Sequence, residues 1–169
     1  MKKIVLLAVV LLLFSVSVFA KKLNVQVNVS TGSIYDGIGV GFLAGSPSGL
    51  SVKKFLTHDT AIQGSLSWYY YGAFGLSFDY LFHNFNIIKV EKGELGLYFG
   101  PGVFLSMYYM TYYGYTSGGF GVGLRVPLGA CYHFENYPID IFTEIAPSIN
   151  VVPSFGFGFG GGVGARYYF

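Results

Sequence analysis

Phe155-Gly156-Phe157-Gly158-Phe159-Gly160-Gly161-Gly162-Val163-Gly164-Ala165-Arg166-Tyr167-Tyr168-Phe169 alternates at period two along its whole length. One face takes Phe155, Phe157, Phe159, Gly161, Val163, Ala165, Tyr167 and Phe169, and the other takes Gly156, Gly158, Gly160, Gly162, Gly164, Arg166 and Tyr168. Such alternation marks a strand, because successive Cβ atoms point to opposite sides of the pleat. A water-soluble sandwich or lipocalin-like barrel would bury the bulky face and show solvent a face rich in Lys, Glu and Thr. Here the second face is glycine with a few polar groups, which suits a narrow interior. The bulky, aromatic-rimmed face suits hydrocarbon.

The arrangement recurs upstream. Phe120, Val122, Leu124, Val126, Leu128, Ala130, Tyr132 and Phe134 oppose Gly121, Gly123, Arg125, Pro127, Gly129, Cys131 and His133. Ile139, Ile141, Thr143, Ile145 and Ile149 oppose Asp140, Phe142, Glu144, Ala146, Ser148 and Asn150, and Phe74 to Phe82 alternate in the same way. A sheet in lipid must close on itself, since no water satisfies an open edge. The expected fold class is therefore all-β, an antiparallel up-and-down transmembrane β-barrel of about eight strands. The strands are expected at 36–45, 48–56, 59–70, 73–85, 93–108, 118–134, 138–150 and 155–169. Most cover the ~9–11 residues that a tilted strand needs to cross. An even count puts the hairpins at 45–49, 70–72, 107–118 and 151–154 outside the cell, and those at 56–59, 86–93 and 135–137 in the periplasm. Leu23 to Ser30 also alternates, which leaves a ten-strand count as the alternative.

Composition agrees with this setting. Charged residues make up 11 % of the 169 and aromatics 20 %, with 25 glycines. An ordinary soluble domain is roughly 25 % charged, and a disordered chain is polar and poor in aromatics. Met1 to Ala20 has a basic start at Lys2 and Lys3, an apolar run from Ile4 to Phe14, and Val18 and Ala20 as small residues before cleavage. It reads as a signal peptide, followed by a periplasmic arm or first-strand start at 21–35 and the barrel domain at 36–169. Removing Lys2 and Lys3 from ten basic residues leaves eight against eight acidic ones. That balance is unlike the basic footprint of a nucleic-acid binder. Cys131 is the sole cysteine, so no intrachain disulfide is available.

The chain resembles small outer-membrane barrels of the OmpA and OmpX type. Gly164, Tyr167 and Phe169 match the C-terminal signal that such barrels offer the barrel-assembly machinery, while Gly162 stands where that pattern has a polar residue. Pro47 to Lys53, Asp79 to Phe85, Gly123 to Gly129 and Pro138 to Glu144 are similar to a short bacterial family of unknown function with spirochaete members. The resemblance implies an outer-membrane location and a barrel fold, and it carries no activity.

The inward face collects Lys53, Asp79, Glu94, Arg125, Asp140, Glu144 and Arg166, with His83 and His133. Adjacent strands place Arg166 beside Asp140 and Arg125 diagonally from Glu144, so an interior salt-bridge plug is expected. A gated ion path or a polar ligand site is the alternative. The longest outward loop carries Tyr109, Tyr112, Tyr113 and Tyr115, near Trp68 to Tyr71. Tyrosine suits both a membrane interface and protein contact. No catalytic, metal or cofactor site is expected, because His58, His83 and His133 are scattered and no triad can be drawn. The expected role is structural or surface-interacting, with outer-membrane lipid, the assembly machinery and an extracellular or host protein as partners. A narrow channel or small-ligand barrel is the second reading, and a lipid-modifying envelope enzyme the third.

Overall fold

A computed structural model describes residues 35–68, 73–112 and 115–169, with side chains of 109–117 outside that description. The described chain forms ten strands: β1 (Ile38–Ser46), β2 (Ser48–Thr57), β3 (Thr60–Trp68), β4 (Phe74–Ile88), β5 (Glu94–Phe99), β6 (Gly102–Tyr112), β7 (Tyr115–Arg125), β8 (Leu128–His133), β9 (Ile139–Val152) and β10 (Gly156–Tyr168). Both β5 and β6 pair with β4, and both β7 and β8 pair with β9. They are therefore two long strands, each interrupted once, and the wall is a ring of eight strands. β1 closes the ring on β10, from Gly39 opposite Tyr168 to Ser46 opposite Gly161. All neighbours are antiparallel, and the C-terminal strand pairs with both β9 and β1.

Prolines make the two interruptions. Pro101 and Pro127 lack the N–H that a ladder needs, and a proline inside a sheet is confined to edges and irregularities. The wall is nevertheless bonded there. Tyr80 N–H donates to the Pro101 carbonyl at 2.9 Å, Gly100 N–H to Pro127 at 3.1 Å and Val126 N–H to Pro147 at 3.0 Å. Gly93, with φ of 67°, turns the chain into β5, a conformation that suits a residue without Cβ.

Period two decides what each face carries. Phe157 is 81 % exposed, Phe155 70 % and Phe42 65 %, and large apolar side chains cover the exterior of every strand. An apolar surface of this extent is an association hazard in water and a solvation match in hydrocarbon. Inside, five aromatic rings lie over glycines directly opposite them in register. Tyr168 covers Gly39, Tyr98 covers Gly129, Phe104 covers Gly123, Tyr108 covers Gly119 and Phe142 covers Gly164. A Cβ at any of these glycines would fall inside the facing ring. The glycine stripe thus makes room along the wall for rings that a narrow barrel could not otherwise hold.

One expectation changes. The expected outward loop at 107–118 is mostly strand, since β6 and β7 stay paired as far as Tyr112 opposite Tyr115. The alternation simply continues through the tyrosines, which favour strands as well as loops. The ten-strand alternative needs a strand from 23–30, which lies outside the described residues, but β1 and β10 already occupy each other's edges.

Gly129→Val, pressed against Tyr98, should lower unfolding stability in micelles by about 1–3 kcal/mol. Gly156→Ala, whose nearest neighbour would be Asn150 Nδ2 at 3.9 Å, should leave it unchanged. Urea titration followed by Trp68 fluorescence measures both.

Candidate functional site

Alternation turns Ser51 and Lys53 of β2, Gln63 of β3, Asp79 and His83 of β4, Tyr98 of β5, Asp140 and Glu144 of β9, and Arg166 and Tyr168 of β10 into the lumen, all of them buried. All but Lys53 and His83 join through their side chains, with Arg125 of β7, in one continuous polar chain. Tyr168 O–H donates to Asp140 Oδ2 at 2.9 Å, and Arg166 Nη1 donates to the same oxygen at 3.1 Å. Arg166 Nη2 donates to Gln63 Oε1 at 2.6 Å, while Gln63 Nε2 donates to Glu144 Oε2 at 2.9 Å. The Gln63 amide therefore has one orientation, with its oxygen toward the guanidinium and its nitrogen toward the carboxylate. Tyr98 O–H also donates to Glu144, at 3.0 Å. Arg125 Nη2 contacts Glu144 Oε1, and Arg125 Nε lies 3.1 Å from Asp79 Oδ1, a charge contact without hydrogen-bond alignment. Arg166 is further held by Ser51 Oγ at 3.0 Å and by the Phe142 ring, 3.5 Å below its guanidinium carbon.

Lys53 stands apart from the carboxylates. Its Nζ lies 2.7 Å from His83 Nε2 and 4.8 Å from the centroids of both Phe55 and Tyr98. An ammonium donor there requires Nε2 to be unprotonated, and the two ring faces offset part of the lost hydration. Counting Lys53, Arg125 and Arg166 against Asp79, Asp140 and Glu144, the interior charge is balanced.

The end of the lumen near Tyr35 and Tyr168 is closed by rings. Tyr35 stacks on His133 at 4.1 Å and meets Tyr168 edge-on at 4.9 Å. Its hydroxyl sits among the carbonyls of Phe134, Tyr137 and Ile139 at 2.8–3.1 Å. Burial first, then the Asp140 charge, pushes this phenol up to about 12, so it keeps its donor proton at neutral pH. Among the described residues the opposite end is open. A cavity of about 460 Å³ reaches from the hairpins down to Arg125, lined by Ser67, Ser77, Phe104, Ser106, Tyr108, Ser148 and Asn150.

The expected interior residues fall as follows. Lys53, Asp79, Asp140, Glu144 and Arg166 are buried, and Arg125, with 14 % of its side chain exposed, touches two of them. Glu94 is a correction. It is half exposed at the rim, 4.0 Å from His58, because it opens β5 directly after the Gly93 turn and its side chain reaches the mouth instead of the interior. Tyr167 and Phe169 lie outward and exposed, with ring centroids 4.9 Å apart, and Gly164 lies under Phe142. The side chains of Tyr109, Tyr112, Tyr113 and Tyr115 lie outside the described residues, as do residues 1–34 and 69–72. His58 pairs with its neighbour Asp59 at 2.8 Å in an exposed turn, and the described hydrogen-bond partner of the His83 side chain is Lys53. Gln63 and Tyr98 were missed as network members. Alternation with Ile62 and Leu66, and with Leu97 and Phe99, is the signal that places both inside.

No family model and no curated protein matches the chain. Among solved structures, it is similar to the N-terminal β-barrel domain of Pseudomonas aeruginosa OprF, with a TM-score of 0.62 over 78 % of this chain and 95 % of that one. Identity is 15 %, so the likeness is one of fold.

Arg166→Met leaves Asp140 buried without its cation and should cost about 3–5 kcal/mol. Adding Asp140→Asn removes the orphaned charge and should restore more than half of that loss, as read by urea midpoints of the single and double variants.

Proposed function

We propose that this chain is an exported integral outer-membrane β-barrel with a structural and surface-interaction role, and that its lumen is closed to solute flow. The observation that carries this reading is the inside-out distribution of side chains on a closed ring. Phe42, Phe78, Phe120, Phe157 and Phe159 face outward and exposed, while Lys53, Asp79, Asp140 and Arg166 have essentially no exposure. Only a hydrocarbon surround favours both at once.

Export through the periplasm is supported by the signal-like Met1 to Ala20, and assembly by Gly164, Tyr167 and Phe169 at the C-terminal strand. On this reading the end that Tyr35 closes faces the periplasm, and the Tyr-rich hairpin of β6 and β7 faces outward. Tyr109, Tyr112, Tyr113 and Tyr115 then present a contact surface for lipopolysaccharide or a host protein.

The channel reading is weakened by the packing of the lumen. Eight strands leave an interior only just wide enough to fill with side chains, and here Arg166, Gln63, Glu144, Tyr98 and Lys53 fill it. Enzymatic chemistry would need a base within hydrogen-bond reach of a substrate proton. His83 is buried against Lys53 instead, which supports a structural part for it.

Arg125→Ala should lower the urea midpoint and leave planar-bilayer conductance at the lipid leak, as for the unmodified barrel. A steady channel from the unmodified protein would overturn the closed-lumen reading. Replacing Tyr109, Tyr112, Tyr113 and Tyr115 by Ser should change stability by less than about 1 kcal/mol and reduce adhesion of expressing cells. Unchanged adhesion would count against the surface role.

A further inference from the structure

The open end of the lumen holds polar groups that the charge network does not use. Arg125 donates Nη2 to Glu144 and holds Nε in charge contact with Asp79, and its Nη1 has no hydrogen-bond partner among the described residues. Ser148 Oγ and the Asn150 side-chain amide are likewise unbonded there. These three sit together, because β7 and β9 pair with Arg125 opposite Ser148 and Gly123 opposite Asn150. On the next strand, Phe104 lies over Gly123 and Tyr108 over Gly119, each ring half-buried and bordering the cavity. One continuous wall therefore carries an aromatic platform beside a cluster of unspent donors and acceptors.

The chemistry of that wall selects a ligand class. Its single charged group among the described residues, Arg125, is matched by Asp79 and Glu144 beneath it, so the floor offers an anion no net attraction. Among the described residues no carboxylate borders the cavity, so a cation meets only the guanidinium. An apolar ligand would leave Arg125, Ser148 and Asn150 unsatisfied, at a cost for each group. A neutral ring with hydroxyls around its edge and C–H bonds on its faces satisfies both parts. Its hydroxyls meet the polar cluster and its faces meet Phe104 and Tyr108. The volume of about 460 Å³ falls within the ~300–1,000 Å³ of small-molecule sites.

We propose that this outward-opening cup binds a neutral pyranose sugar, with Arg125 Nη1, Ser148 and Asn150 taking the hydroxyls and Phe104 and Tyr108 stacking on the ring. The site is independent of the Tyr-hairpin contact and takes up the small-ligand reading of the barrel. A free sugar and the terminal residue of an envelope glycan offer the same chemistry.

The test uses the full mature barrel in phosphocholine micelles, titrated with glucose, galactose and N-acetylglucosamine while backbone amide resonances are followed. Saturable shifts at Ser106, Ser148 and Asn150 are expected with at least one sugar. Ser148→Ala combined with Asn150→Ala should weaken that affinity about fivefold or more, with urea midpoints showing that the variant still folds. Core oligosaccharide freed of lipid A forms a second arm, and tighter binding there identifies a glycan end as the natural source. Absence of saturable shifts with every sugar and with the oligosaccharide would overturn the proposal. So would saturation by phosphate or acetate at the same amides in place of the sugars.

Discussion

A closed ring of strands with an apolar exterior leaves its polar side chains one place to go, and that constraint organises this molecule. Each group turned inward must find its partner across a lumen that eight strands leave barely wide enough for side chains. The answer here is a chain of contacts crossing from β10 to β4 through β9, β3 and β7, with Gln63 joining the Arg166–Asp140 pair to the Arg125–Glu144 pair. Because Gln63 donates at one end and accepts at the other, it links two ion pairs without adding a charge. Lys53 balances the third carboxylate at a distance, held by His83 and two ring faces.

Space for that network comes from glycine. Phe142 and Tyr98 carry part of the wall's bulk, and each lies over a glycine opposite it, Gly164 and Gly129. Phe142 also supports the Arg166 guanidinium from below, so the same ring fills the wall and steadies the plug. Above Arg125 the rings of Phe104 and Tyr108 lie on glycines in the same manner, but no charged partner crosses between them, and the cup results. One device thus yields a filled half and an open half.

Most of the barrel was legible in its sequence, because a strand with one apolar outer face and one lumenal face writes its fold in period two. Phe155 to Phe169 shows both faces without a break, and the pairing of Arg166 with Asp140 follows from register alone. Less legible were features that depend on depth along the axis. Glu94 has the right parity for the interior but sits at the mouth, and parity says nothing about height. Pro101 and Pro127 divide strands that pattern reading takes as continuous, and the facing carbonyl bonds that keep the wall intact leave no mark in the sequence. Tyr35, which closes one end of the lumen against His133, lies before the alternating region altogether.

The central claim is that the apolar face meets lipid around a closed ring. It is tested most directly by running the outer-membrane fraction on a gel, boiled and unboiled. A closed barrel resists detergent until heated, so the unboiled protein should be found in that fraction and migrate differently from the boiled one. Recovery as a soluble periplasmic protein with no mobility difference would contradict the assignment of both faces.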